Sequence, residues 1–347
     1  MSDTRQERDP RSTDEIIADA LLQEDDDARW GLITALHFRG TRDVFEAARN
    51  LTESLNPDER CLGADILAQL GIPERSFPNE VRDVLLDLLK SEHDADVLQS
   101  ACTAFGHNKD FHVVEPLARL KSHPSADVRY AVVFGLLGQE DEAAVQALIE
   151  LSTDADDDVR NWATFGLGQQ IDLDTPEIRE ALISRLDDEY DAVRGEALRG
   201  LACRDDERSI EPLIRELEAI TEADEWWDYA FGAAENMPDS RLYPALIAAK
   251  NSGIDDRTLD HAIALCRIPA PEEGEDKLTD APTSCPVCGR RRAFKKSDGW
   301  QFCKRCGWAD DLDQRAVSDS REGYNRCSLN QERERWRHRL EMARKKQ

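Results

Sequence analysis

Four cysteines carry the sharpest chemistry in this chain. Cys285-Pro286-Val287-Cys288 and Cys303-Lys304-Arg305-Cys306 form C-x2-C-x14-C-x2-C. Four thiolates at that spacing can meet tetrahedrally around one Zn2+. Thiolate fills every ligand position, so no position is open for water or substrate and the metal is expected to be structural. A single C-x-x-C could instead be a redox dithiol; two of them flanking a hairpin signal favour zinc. That hairpin is read in Arg292–Lys296 and Trp300–Cys303 around Ser297-Asp298-Gly299. A module this short has little core, so metal binding would supply its folding energy. Cys327 and His338 are spare donors and are read as non-ligands. Cys61, Cys102, Cys203 and Cys266 fall within helix patterns and are expected to be buried, reduced thiols.

Catalytic chemistry finds no comparable signal. No nucleophile–base pair or open metal motif stands out, and none of the seven histidines is followed by Glu. Carboxylates alone identify no active site in so acidic a chain.

The elements around these residues follow from a recurring phrase. Asp127-Val128-Arg129, Asp158-Val159-Arg160 and Asp191-Ala192-Val193-Arg194 each open an apolar helix pattern. Ala28, Glu59, Val97, Val128, Val159, Val193 and Trp226 hold equivalent positions, at steps of 31, 38, 31, 31, 34 and 33 residues. Four and eight residues further on lie Val132 and Leu136, Ala163 and Leu167, Ala197 and Leu201, and their counterparts: the buried stripe of a helix. A second amphipathic helix precedes most of these, as in Val113–Leu120, Ala143–Leu151 and Ile210–Leu217. Helix pairs at a fixed period make a solenoid, which offers a long surface rather than a cleft.

On the helix opened by Val159, Asn161, Trp162 and Phe165 project away from the core stripe, and Trp30, Tyr130, Phe134 and Tyr229 hold related places. These seven residues are the candidate partner-binding set, flanked by Glu196, Arg199 and Asp228, because aromatic and Arg side chains anchor protein interfaces. For each ring alone, packing between repeats is the competing reading.

Charge and composition divide the chain. Residues 1–12 read as a flexible start, 13–268 as the array, 269–283 as a Pro-framed acidic linker, and 284–347 as the cysteine module with a basic final helix. Charged residues make up 34% of the chain, where about a quarter is ordinary. Residues 283–347 hold 17 Lys/Arg against 9 Asp/Glu, a balance of +8, so 1–282 carry −35 of the net −27. An array so acidic repels phosphate backbones and favours basic partners, though solvated helix faces or high-salt adaptation would produce the same balance. With neither an apolar run of membrane-spanning length nor a secretory pattern at Met1–Asp14, a cytoplasmic protein is expected.

The phrase resembles bacterial HEAT-like repeats of the phycobilisome-lyase type, over about residues 13–267. The resemblance implies an all-α, right-handed helical-repeat solenoid of about eight helix pairs, here joined to a small zinc ribbon with a terminal helix. It also implies that Arg29, Arg60, Arg129, Arg160 and Arg194 pair with an Asp of the adjacent repeat, the phrase's Asp and Arg forming a ladder; Leu98 and Trp227 replace the Arg in two units. The C-terminal module, with Cys306-Gly307-Trp308-Ala309-Asp310-Asp311 and Ser328-Leu329-Asn330-Gln331, resembles the bacterial cysteine-rich CPCC domain, which implies zinc binding. Taken together, these readings predict a non-enzymatic protein-binding scaffold or adaptor with a role as a bacterial immunity or regulatory protein. The alternative is nucleic-acid binding through the basic ribbon, residues 284–347. A HEAT-like lyase or glycosylase comes third, because a glycosylase needs a basic groove.

Overall fold

Helices alternate in pairs along the first of two compact units, Met1–Ala270 and Pro271–Gln347. The computed structural model describes residues 9–108, 113–220 and 227–266, with Trp227 as backbone only, and the backbone of 294–297 and 300–303. The pairs are α1 (Thr13–Leu22) with α2 (Asp26–Arg39), α3 (Arg42–Thr52) with α4 (Pro57–Ala68), α5 (Pro78–Ser91) with α6 (Ala95–His107), and α7 (Glu115–Ala118) with α8 (Ala126–Leu136). They continue as α9 (Glu142–Leu151) with α10 (Asp157–Phe165), α11 (Pro176–Ile183) with α12 (Asp191–Ala202), α13 (Ile210–Ala219) with α14 (Trp227–Asn236), and α15 (Tyr243–Asn251) with α16 (Arg257–Cys266). The second members stack in order, α2 on α4, α4 on α6, and so on to α14 on α16, forming one continuous layer. This is the solenoid that the repeat predicts, with eight pairs among the described residues. No helix among them is long and apolar enough to cross a membrane.

The repeated phrase starts most of the second helices by a common physical route, α12 being without a side-chain cap. A short polar residue just ahead of it caps the helix: Asp94 for α6, Ser125 for α8 and Asp156 for α10 each accept backbone N–H bonds from the first turn. Asp127 and Asp158 then sit in that turn, where negative charge suits the helix dipole. Val97, Val128, Val159 and Val193 are fully buried, and Leu36, Leu67, Phe105, Leu136, Leu167 and Leu201 close the stripe at no more than 2% exposure. Burying each of these side chains contributes roughly 1.5–3 kcal/mol.

The Arg ladder is present, but its acids are not those of the phrase. Arg60 pairs with Glu92, Arg129 with Asp154, Arg160 with Asp188 and Arg194 with Glu216, at 2.6, 2.7, 3.0 and 2.6 Å. Each Arg also donates to two carbonyls of the segment leading into its own helix: His123 and Pro124 for Arg129, Asp154 and Ala155 for Arg160. The guanidinium thus ties one repeat's connecting segment to the next. The phrase's Asp191 instead bonds Arg194 of its own helix, at 2.5 Å. Arg29 departs from the ladder and makes no ion pair among the described residues. Leu98, in place of an Arg, is buried.

Three further elements differ from expectation. The helix expected over Val113–Leu120 is the single turn α7, with Pro116 in it, followed by turns. The helix opened by Val159 changes to a wider π-helical turn at Gly166–Gln170. Arg204 holds that turn by donating to the carbonyls of Leu167, Gly168 and Leu173 at 2.8, 2.8 and 2.9 Å. Here the π-helical turn and α12 approach closely, since a Cβ on Gly200 would lie 2.6 Å from Gly168 Cα. Of the helix-borne cysteines, Cys102 and Cys266 are buried as expected and Cys61 is half-buried. Cys203 is exposed, because it lies at the C-cap of α12, past the end of the buried stripe.

In the second unit, β1 (Phe294–Ser297) and β2 (Trp300–Cys303) form an antiparallel hairpin, with Ser297 opposite Trp300 and Phe294 opposite Cys303. The two residues between them are Asp298-Gly299, the strongest short hairpin pair.

Candidate partner-binding surface and cysteine module

Successive second helices bring the candidate aromatics side by side. Tyr130 on α8 meets Trp162 on α10 edge-to-face with ring centroids 5.8 Å apart, and Trp162 meets Phe165, one turn on, at 5.5 Å. All three are half-buried and pack against the core while keeping an exposed edge. From Phe165 the strip continues through Gln169 in the π-helical turn, whose amide donates to Glu196 on α12. Glu196 in turn accepts from Tyr229 on α14, and the Arg199 guanidinium lies 5.7 Å from the Tyr229 ring centre. Four successive second helices, α8, α10, α12 and α14, therefore contribute to one run of side chains.

Two of the rings also pack against the neighbouring repeat. Phe134 lies on the backbone of Gly106, where a Cβ would come within 2.2 Å of it, and stacks edge-to-face on His107 at 5.2 Å. Tyr229 lies on Gly195 in the same way, 2.6 Å from where a Cβ would be. Asn161 is half-buried on α10, and its Oδ1 has no hydrogen-bond partner among the described residues; neither does Arg199 Nε. Trp30 stands apart on α2, 48% exposed. Asp228 is exposed at the margin.

The electrostatics centre on Glu196, only 6% exposed. Burial pushes its carboxyl up to about 7, against the opposing pull of Arg199 and the hydrogen bonds from Gln169 and Tyr229. A flanking position read from the sequence is thus the strip's buried centre. Gln169 was not legible as a member, because its place depends on the π-helical turn, which shifts the residues after Phe165 off the regular helical period. The glycine seats at positions 106 and 195 do carry a sequence signal: each sits one repeat ahead of the ring it receives.

Of the four metal candidates, Cys285, Cys288 and Cys306 lie outside the described residues, and Cys303 is described by its backbone at the end of β2. The chain enters β1 six residues after Cys288 and leaves β2 at Cys303, both at the open end of an antiparallel pair. Cys327, His338 and the final helix also lie outside the described residues.

Stacked helix pairs with a continuous second layer define a helical-repeat protein. HEAT repeats match residues 82–168, 113–202 and 150–237, and the cysteine-rich CPCC family matches residues 283–343. The chain thus contains HEAT repeats and a C-terminal cysteine-rich CPCC domain. Among solved structures it is similar to the X-ray structure of E. coli YibA, at 26% identity and a TM-score of 0.62, covering 74% of this chain and 93% of that one. An engineered protein (19% identity, TM-score 0.45, 74% and 78% covered) and a designed armadillo repeat protein (18%, 0.40, 55% and 100%) are more distant and carry no functional weight. A search of curated proteins returns no match.

Proposed function

We propose that this chain is a non-enzymatic scaffold that binds a basic protein partner along the strip running from Tyr130 through Trp162, Phe165 and Glu196 to Tyr229. The observation that carries the reading is the strip itself: half-buried rings and a buried carboxylate on four successive second helices, in a stretch of net charge −35 over residues 1–282. Rings with one face already packed lose little freedom on binding, which suits them as anchors. On this reading Asn161 and Arg199 supply polar contacts beside the rings. Trp30 is too far along the array to belong to the same strip.

The Cys285, Cys288, Cys303 and Cys306 thiolates hold one structural Zn2+ that fixes the hairpin's open end. The fold, together with the lack of a nucleophile–base motif, supports scaffold over lyase or glycosylase. Within the scaffold reading, an immunity or regulatory role in the cytoplasm rests on resemblance to bacterial HEAT-like proteins.

The test is affinity capture with the full chain at moderate salt, wild type beside Trp162→Ala, with captured proteins identified by mass spectrometry. A basic protein retained by wild type and lost with Trp162→Ala is expected; no partner sensitive to that substitution would remove the reading. The +8 balance of residues 283–347 supports a second reading, nucleic-acid binding through the cysteine module. Salt-dependent binding of the full chain to DNA or RNA, abolished by charge reversal within Arg290–Arg292, would favour it.

A further inference from the structure

One position of the stripe, buried in four later repeats, is open in the first, although Leu36 further along it is buried. Val97, Val128, Val159 and Val193 are fully buried, but Ala28, which holds their place on α2, is exposed. Gly31 occupies the place of buried Leu62 and Ala131, and a Cβ there would meet nothing within 4 Å. Phe38 continues this face at 48% exposure, and Leu22, at the end of α1, stands beside it at 81%. Together with Trp30 these are three of the four large hydrophobics exposed among the described residues; the fourth, Leu55, lies between α3 and α4. A depression of about 350 Å³ runs between the helices, lined by Arg11, Asp19, Leu22, Gln23, Ala28 and Leu32. End repeats of solenoids ordinarily turn a polar face outward, so an apolar one marks a contact surface.

Its rim says what it contacts. Glu24, Asp25, Asp26 and Asp27 run consecutively along its edge, all exposed. A second copy of this chain docked face to face would bring two such acidic runs together, which repels. We infer that the α1–α2 face is a docking surface for a basic amphipathic helix of a partner protein, whose apolar side seats on Leu22, Ala28, Leu32 and Phe38 and whose Lys or Arg residues meet Glu24–Asp27. This is a second surface, independent of the strip centred on Trp162.

The probe is a synthetic amphipathic helix of Leu and Lys, with a Leu and Glu helix of the same pattern for comparison, titrated into the full chain. The Leu/Lys helix binds wild type and Trp162→Ala alike, and the pair Leu22→Ser with Phe38→Ser weakens it at least about tenfold. These substitutions remove apolar surface and no charge. Unchanged binding to the Ser variant would therefore mean attraction to the acidic array at large and would overturn the inference. Equal binding of the Leu/Glu helix, or no binding of either, would also overturn it. So would a concentration-dependent dimer in sedimentation that Leu22→Ser abolishes, since the face would then belong to a second copy.

Discussion

At the scale of single residues, the array sets two kinds of buried charge against each other. Burial works to raise the Asp154 and Asp188 carboxyls, but Arg129 and Arg160, with backbone N–H bonds from Asp156 and Tyr190, outweigh it and leave both lowered. Their contribution is present above the ordinary carboxylate range and is lost as pH falls through the lowered values. Glu196 has the opposite sign. Its folded value, about 7, lies above the ordinary one of 4.5, so its contribution is full below that ordinary value and is lost as pH rises through neutrality. Glu196→Gln is therefore expected to cancel a loss of stability of roughly 3 kcal/mol between pH 5 and 8, seen as melting curves that converge with wild type at low pH and diverge at high pH. The ladder gives a second expectation. Arg160→Ala leaves Asp188, 6% exposed, without its main partner and should cost about 3 kcal/mol in denaturant melts, whereas exposed Arg215→Ala should stay within about 0.5.

At the scale of elements, closeness between helices is set by glycines, and the two kinds of glycine should respond oppositely. Gly200→Ala drives a methyl into the Gly168 backbone and should cost roughly 1–3 kcal/mol. Gly31→Ala, in an open helix interior, should stabilise by about 0.5–1 kcal/mol; thermal melts of the two variants would show shifts of opposite sign. The same contrast explains what could be read ahead of the structure. The stripes and the Arg at each phrase lie within one helix, where a 3.6-residue period makes position and face one statement, so the pairs and the buried positions were legible. The ladder's acids were not, because Asp154 and Asp188 sit in connecting segments at no fixed offset from the Arg they meet. Nor was the strip's centre, because Glu196 becomes buried through the π-helical turn and Tyr229, two features of different repeats.

At the scale of the whole molecule, two units carry opposite charge and different sources of stability. The array rests on buried stripes and ion pairs; the cysteine module, on the proposed reading, rests on metal. Removing metal with a chelator should therefore abolish amide protection in the β1–β2 hairpin while leaving the helical signal of residues 13–266 unchanged, as hydrogen exchange on the full chain would report. The central claim is that partner binding runs through the aromatic strip. Its most direct test is calorimetric titration of the captured partner into wild type, Trp162→Ala and Arg215→Ala, with a melting curve for each. The account predicts affinity at least about tenfold weaker for Trp162→Ala, in a chain still folded at the titration temperature, and no change for Arg215→Ala. Equal affinity for wild type and Trp162→Ala would contradict it.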